Sequence, residues 1–227
     1  MRAAATRSAL VASGLCALSL CACAPTFPSF AGGRTAPRGR TDLGVGAAVR
    51  IPVGDLADDP RLAPLASGGV APGAFLRHGL SRDVDLGVEI SGTAARGQLR
   101  LQLGSGMVRL LAGLAPHVGL GHEGGEVVRV GGTVPIVLSV SVLGLYEAWV
   151  GVRVGVEHLV GRAQATRYSL TGLRTGGVVG LAVGFRHLHV LVELGIDHEL
   201  WRGSADDRSI ETNGLVLTPA LALRLRI

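Results

Sequence analysis

Lysine is absent from this 227-residue chain, and all 22 strongly basic side chains are arginines. Aromatic residues make up only 4%. The three cysteines, Cys16, Cys21 and Cys23, fall together near the start, which excludes a disulfide or a cysteine-based metal site anywhere after residue 23. Beyond the first twenty residues, no apolar run approaches the roughly 20 residues that a membrane helix needs. The arginines are scattered, with no basic stripe and no interleaved aromatics, so a net charge of +5 does not point to nucleic acid. What the chain has in abundance is glycine, 35 residues, and apolar residues, 48%, spread thinly along its length. The length suits one all-β domain behind a short leader.

The leader is legible. Arg2 and Arg7 precede an apolar stretch from Ala9 to Leu20, the arrangement of a secretory signal peptide over residues 1–22. Leu20-Cys21-Ala22-Cys23 resembles the bacterial lipobox, which implies acylation of Cys23. Residues 23–41 carry Pro25, Pro28 and Pro37 among glycines, show no periodicity, and read as a flexible tether.

From residue 42 to 227 the dominant pattern has period two. Val84, Leu86, Val88 and Ile90 alternate with polar or small residues, as do Val150, Val152, Val154 and Val156. Leu188, Val190, Val192 and Leu194 do the same, and so do Leu221, Leu223 and Leu225. That is a strand period. About ten strands are expected, with eight as the alternative count: 42–53, 69–80, 82–93, 96–104, 107–121, 133–143, 146–158, 175–186, 188–200 and 214–227. Long connections at 54–68, 122–132, 159–174 and 201–213 would alternate with tight turns. Pro52, Pro72, Pro116, Pro135 and Pro219 would lie toward the ends of strands on the long-loop side.

The face between the apolar residues is glycine, alanine and charges of both signs, which suits a narrow lumen. Charges there need partners. Glu89 is expected near Arg100. Arg153 and Glu157 share one face, and Glu193 and Asp197 precede Arg224 and Arg226 by one strand. Tyr146 and Phe185 would face outward near the tight turns. The whole pattern resembles the small outer-membrane β-barrel proteins of Gram-negative bacteria, although such barrels usually end in an aromatic residue and this chain ends in Ile227. The resemblance implies a single antiparallel up-and-down transmembrane barrel, monomeric, with both ends periplasmic. It also implies outer-membrane lipids and the barrel-insertion and lipoprotein-sorting machineries as partners. Its activity would be structural, surface-interacting or of the narrow-pore type.

No residue cluster makes a catalytic, metal or cofactor site. Asp83 and Asp85 resemble the paired acids of omptin-like proteases but fall at the tight-turn end without a histidine. His187 and His189 lack a third ligand. His198 points away from Asp197 and Glu199, because adjacent strand residues face opposite ways. Gly131-Gly132 and Gly176-Gly177 precede no helix and cannot form phosphate loops. Two other readings fit the same residues. One is a periplasmic lipoprotein with a soluble barrel or sandwich that turns Leu188, Val190, Val192 and Leu194 inward around an apolar ligand. The other is a barrel enzyme acting on lipid or peptide at the outer rim.

Overall fold

The computed structural model describes residues 27–28, 30, 32–58, 68–121, 125–163, 165–185 and 187–227. The strands are β1 (Thr41–Val53), β2 (Gly69–Gly79), β3 (Val84–Ser91), β4 (Ala94–Leu103), β5 (Val108–Gly121), β6 (Gly125–Val142), β7 (Tyr146–Ala163), β8 (Thr166–Gly184), β9 (Leu188–Ala205) and β10 (Arg208–Arg226). A one-turn helix, α1 (Asp55–Asp58), follows β1. Each strand pairs antiparallel with its chain neighbour, and β1 pairs with β10 from Asp42↔Arg226 to Val53↔Leu215, so the sheet closes into a ten-stranded barrel. Closure removes the free edges on which another chain could pair. Thr41 and Ile227 exchange both backbone hydrogen bonds at 2.9 Å, which puts the two barrel ends on one rim, called here the near rim.

Alternation then sorts the side chains. Leu188, Val190, Val192 and Leu194 point outward, 39–54% exposed, while His189, Leu191, Glu193 and Gly195 point into the lumen. β3, β4, β7 and β10 repeat the pattern. A soluble barrel with an apolar cavity needs the reverse, and these four residues overturn that reading. Tyr146 and Phe185 are exposed beside the near-rim turns.

Toward the far rim the polarity inverts. On β7 the outward Val150, Val152, Val154 and Val156 give way to outward His158 and Arg162, while Leu159 and Ala163 turn inward. On β8 Tyr168 and Leu170 are buried and Arg167, Ser169 and Thr171 are exposed. On β9 and β10 an exposed ion pair, Arg202–Glu211 at 2.7 Å, lies on the outer face while Trp201 is buried inside. Leu159, Tyr168, Leu170, Trp201 and Val216 form an apolar cluster inside this extension, and Leu56 of α1 caps it.

This inversion corrects the expected loops. Most of 122–132, 159–174 and 201–213 is strand. Ala205 and Arg208 are joined by Asp206 and Asp207, both at positive φ (46° and 64°), the conformation of a type I′ hairpin. Aspartate tolerates that conformation better than most residues. The longer strands also place Pro135 and Pro219 in strand interiors rather than near ends. The ladders skip there: β5–β6 pairing breaks between Ala112↔Ile136 and Ala115↔Thr133, and β1–β10 pairing between Ala48↔Ala220 and Ile51↔Leu217. Proline lacks the N–H that those positions would donate.

Glycine on the lumen wall has a specific use. Phe75, Trp149 and Trp201 each lie directly opposite a glycine, Gly44, Gly180 and Gly172. Each ring folds flat over the bare backbone of that partner; a Cβ at Gly172 would stand 2.8 Å from the Trp201 ring. Gly172→Val should therefore destabilise the barrel by about 1–3 kcal/mol through overpacking, read as a lowered urea midpoint in detergent micelles. The outward-facing Leu173→Val serves as the control that stays near wild type.

Candidate functional site

The candidate site is the lumen, and its centre is occupied by the chain itself. Residues 23–41 read from sequence as a flexible tether. Over its described part the segment instead enters the barrel from the near rim. Phe27, Phe30, Thr35 and Ala36 are buried. The wall binds the segment's backbone much as a neighbouring strand would, but with side chains. Glu147 accepts from Gly33 N at 2.8 Å, Asp85 from Ala36 N at 2.8 Å, and Gln102 from Thr35 N at 3.1 Å. Arg77 donates to the Phe30 carbonyl and Arg96 to the Pro28 carbonyl, each at 2.5 Å, and Ser139 to the Gly33 carbonyl at 2.5 Å. Rings complete the seat. Phe30 packs on Phe75 at 5.7 Å between centroids and Phe27 on His117 at 5.3 Å. The Arg96 guanidinium lies 4.8 Å above the Phe27 ring, within cation–π range.

The charges that hold the segment are themselves paired. At the near rim Arg226 forks onto Asp42 at 2.6 and 2.7 Å, and Arg224 reaches Glu147 at 3.1 Å. Arg100 donates through Nε to Asp85 at 2.9 Å and Arg96 pairs with Glu89 at 2.5 Å. Midway, Arg153 forks onto Asp197, with Nε at 2.8 Å. Deeper still, Glu199 takes a fork from Arg50 at 2.9 Å and a third contact from Arg174 at 2.8 Å. Glu157 lies 3.4 Å from Arg129 and 3.5 Å from Arg174. Bidentate arginine–carboxylate pairs are the geometry that repays the cost of removing two ions from water.

All eight charged residues singled out in the sequence lie on this wall, but their partners differ from the expected ones. Glu89 sits opposite Arg96 in the β3–β4 register, and Arg100 sits opposite Asp85. Glu193 accepts from Trp149 Nε1 at 3.2 Å, while Asp197 takes Arg153 from two strands away. Alternation could have found Asp85, which shares parity with Glu89, and Glu147, which shares it with Arg153, as well as Asp42 and Arg50, which alternate with outward-facing Leu43 and Ile51. Arg129 and Arg174 lay in segments read as loops.

Asp83 is half-buried in the near-rim turn, and Asp85 is engaged with Arg100. His189 is buried and donates to the Gly144 carbonyl at 2.9 Å, whereas His187 is exposed beside the Arg226 carbonyl. Among the described residues no group of three or more His, Cys, Asp or Glu could hold a metal ion. Cys23 lies outside the described residues. A void of about 40 Å³ remains between Phe27, Arg100, Arg153 and Arg174, close to the room that one or two waters need.

No family model matches the chain, and no curated protein matches it. Among solved structures, Neisserial surface protein A is similar at 9% identity, with 83% of this chain and 99% of that one covered and a TM-score of 0.42. The outer membrane protein OprG from Pseudomonas aeruginosa is similar at 10% identity, 85% and 98% coverage and TM-score 0.40. The outer membrane protease OmpT from Escherichia coli is similar at 9% identity, 83% and 96% coverage and TM-score 0.39. At such values the barrel assignment rests on the strand ladder itself.

Glu147 joins wall and segment most directly. Glu147→Ala should cost about 3–5 kcal/mol, because it strands the buried Arg224 charge. Removing both charges with Glu147→Leu and Arg224→Leu should recover most of that loss, as measured by urea unfolding in micelles.

Proposed function

We propose that this chain is an integral outer-membrane barrel whose lumen is closed by its own N-terminal segment, with a structural or surface-presenting role rather than an open-pore one. The observation that carries this reading is the outward face. An apolar belt runs around the barrel and stops where the strands exchange it for Arg162, Arg167, Arg202 and Glu211. Soluble monomers rarely expose more than a few hundred Å² of contiguous apolar surface, and a closed barrel satisfies its backbone without water. The inversion of polarity marks the level at which lipid gives way to water. Inside, the paired arginines, the seated segment and the Leu159–Trp201 cluster occupy the path from rim to rim.

In this reading the near rim faces the periplasm, and the polar hairpins of β6 to β10 stand outside the cell. Cys23 is proposed as a lipid attachment point. It lies four residues before Phe27, a reach of at most about 14 Å. A lipid held in the leaflet at the near rim therefore competes with Phe27 for the position of the segment.

Three outcomes are expected. Cys23→Ala protein should still require detergent, and a soluble monomer would refute the membrane assignment. In planar bilayers the full chain should show no steady conductance, whereas a chain that lacks residues 27–36 and also carries Trp201→Gly, which opens the far-rim cluster, should pass ions. A steady open level from the full chain would refute closure.

A further inference from the structure

We propose that the near rim carries a binding site for a phosphate-bearing anion, separate from the paired charges of the lumen. A cavity of about 220 Å³ opens there between the seated segment and the β3, β4 and β5 ends. Four arginines line it: Arg34 and Arg38 from the segment, Arg82 from the β2–β3 turn, and Arg109 from β5. Gln102 and Ser105 supply neutral polar groups, and no carboxylate is among the lining residues.

The contrast with the rest of the interior is the argument. Deeper in the lumen most guanidinium groups meet carboxylates. Here Arg34 makes one contact with Glu147, at 3.4 Å, and that carboxylate is already shared with Arg224 and with Gly33 N. Among the described residues, no ion pair reaches Arg38, Arg82 or Arg109. Nε and Nη1 of Arg109 are buried with no hydrogen-bond partner. Buried polar groups without partners are uncommon in folded proteins and call for an explanation such as an ion. Like charges drawn around one cavity repel, and an anion reverses the sign of that interaction.

The donor chemistry selects the ligand. Guanidinium forks match the planar edges of phosphate and carboxylate oxygens, and arginine is favoured where such groups are read bidentately. Several forks around one cavity suit a group with three or more acceptor oxygens and more than one charge. The volume exceeds that of a few waters, at about 30 Å³ each, so a phosphate with a substituent fits. Arg38 and Arg82 are exposed at the rim, so both a soluble phosphate and the headgroup of a neighbouring anionic lipid could enter.

The test uses the full chain in phosphate-free, uncharged micelles. Calorimetric titration with pyrophosphate forms one arm. Titration with micelles doped with phosphatidylglycerol forms the other. Saturable one-site binding in the first arm assigns a soluble phosphate, and binding in the second arm alone assigns a lipid headgroup. Arg82→Gln, an exposed change that leaves the lumen intact, should weaken binding at least threefold, and Arg82→Gln with Arg109→Gln at least tenfold. Arg202→Gln, at the opposite rim, should leave it unchanged. Absence of saturable binding in both arms overturns the proposal. So does equal affinity of wild type and Arg82→Gln, a result that would leave the membrane assignment untouched.

Discussion

The arginine–carboxylate fork across the lumen is the interaction on which the other features depend. Ten strands that turn most of their apolar residues outward leave, beside two inner apolar clusters around Phe30 and Trp149 and around Leu159 and Trp201, a large polar remainder of the lumen. Water or paired ions must fill it. The chain uses pairs, and uses them twice. Asp85, Glu147 and Arg96 each neutralise a wall partner and also bind a backbone group of the segment at 27–36. An isolated buried ion would be costly. A carboxylate shared between a guanidinium and a backbone N–H has more of its lone pairs satisfied, which is the condition under which burial of charge is tolerated.

The wall composition follows from this. Long arginines need room to cross, and glycine provides it. The Arg153–Asp197 fork lies against Gly176 and Gly195, where an added Cβ would collide with it. The same bare backbone accepts the rings of Phe75, Trp149 and Trp201. Part of the high glycine content thus lies where large side chains press on the wall.

The architecture could be read from residues because parity is constant within the zone of outward apolar residues. Leu188 to Leu194 and Leu221 to Leu225 each specify a strand, its period and its two faces. Ten strands follow, in order and with the near-rim turns. The far extension was not legible because parity reverses within single strands. After outward Val150 to Val156, the apolar residues Leu159 and Ala163 sit on the other phase, and on β8 Tyr168 and Leu170 precede a switch to Leu173 and Val179. A change of phase in the apolar residues resembles the end of a strand when the sequence alone is read. The fork partners were legible as charges on the right face but not as pairs. Register joins Glu89 to Arg96, while arginine length lets Arg153 reach Asp197 on β9. Nothing in residues 27–40 announced a lumen seat, since their contacts lie as far as Arg153 along the chain.

The position of that segment sets an order of assembly. Residues 27–36 are synthesised before any strand, yet their binding surface is shared among β2, β3, β4, β5, β6 and β7. Those strands form one enclosure only when Asp42 meets Arg226 at the β1–β10 seam. A segment made early therefore has its full set of partners only after strands far along the chain have come together. Until then Glu147, Arg77 and Arg96 lack part of their coordination, so assembly of the wall and occupation of the lumen depend on one another, as an arch and its keystone do.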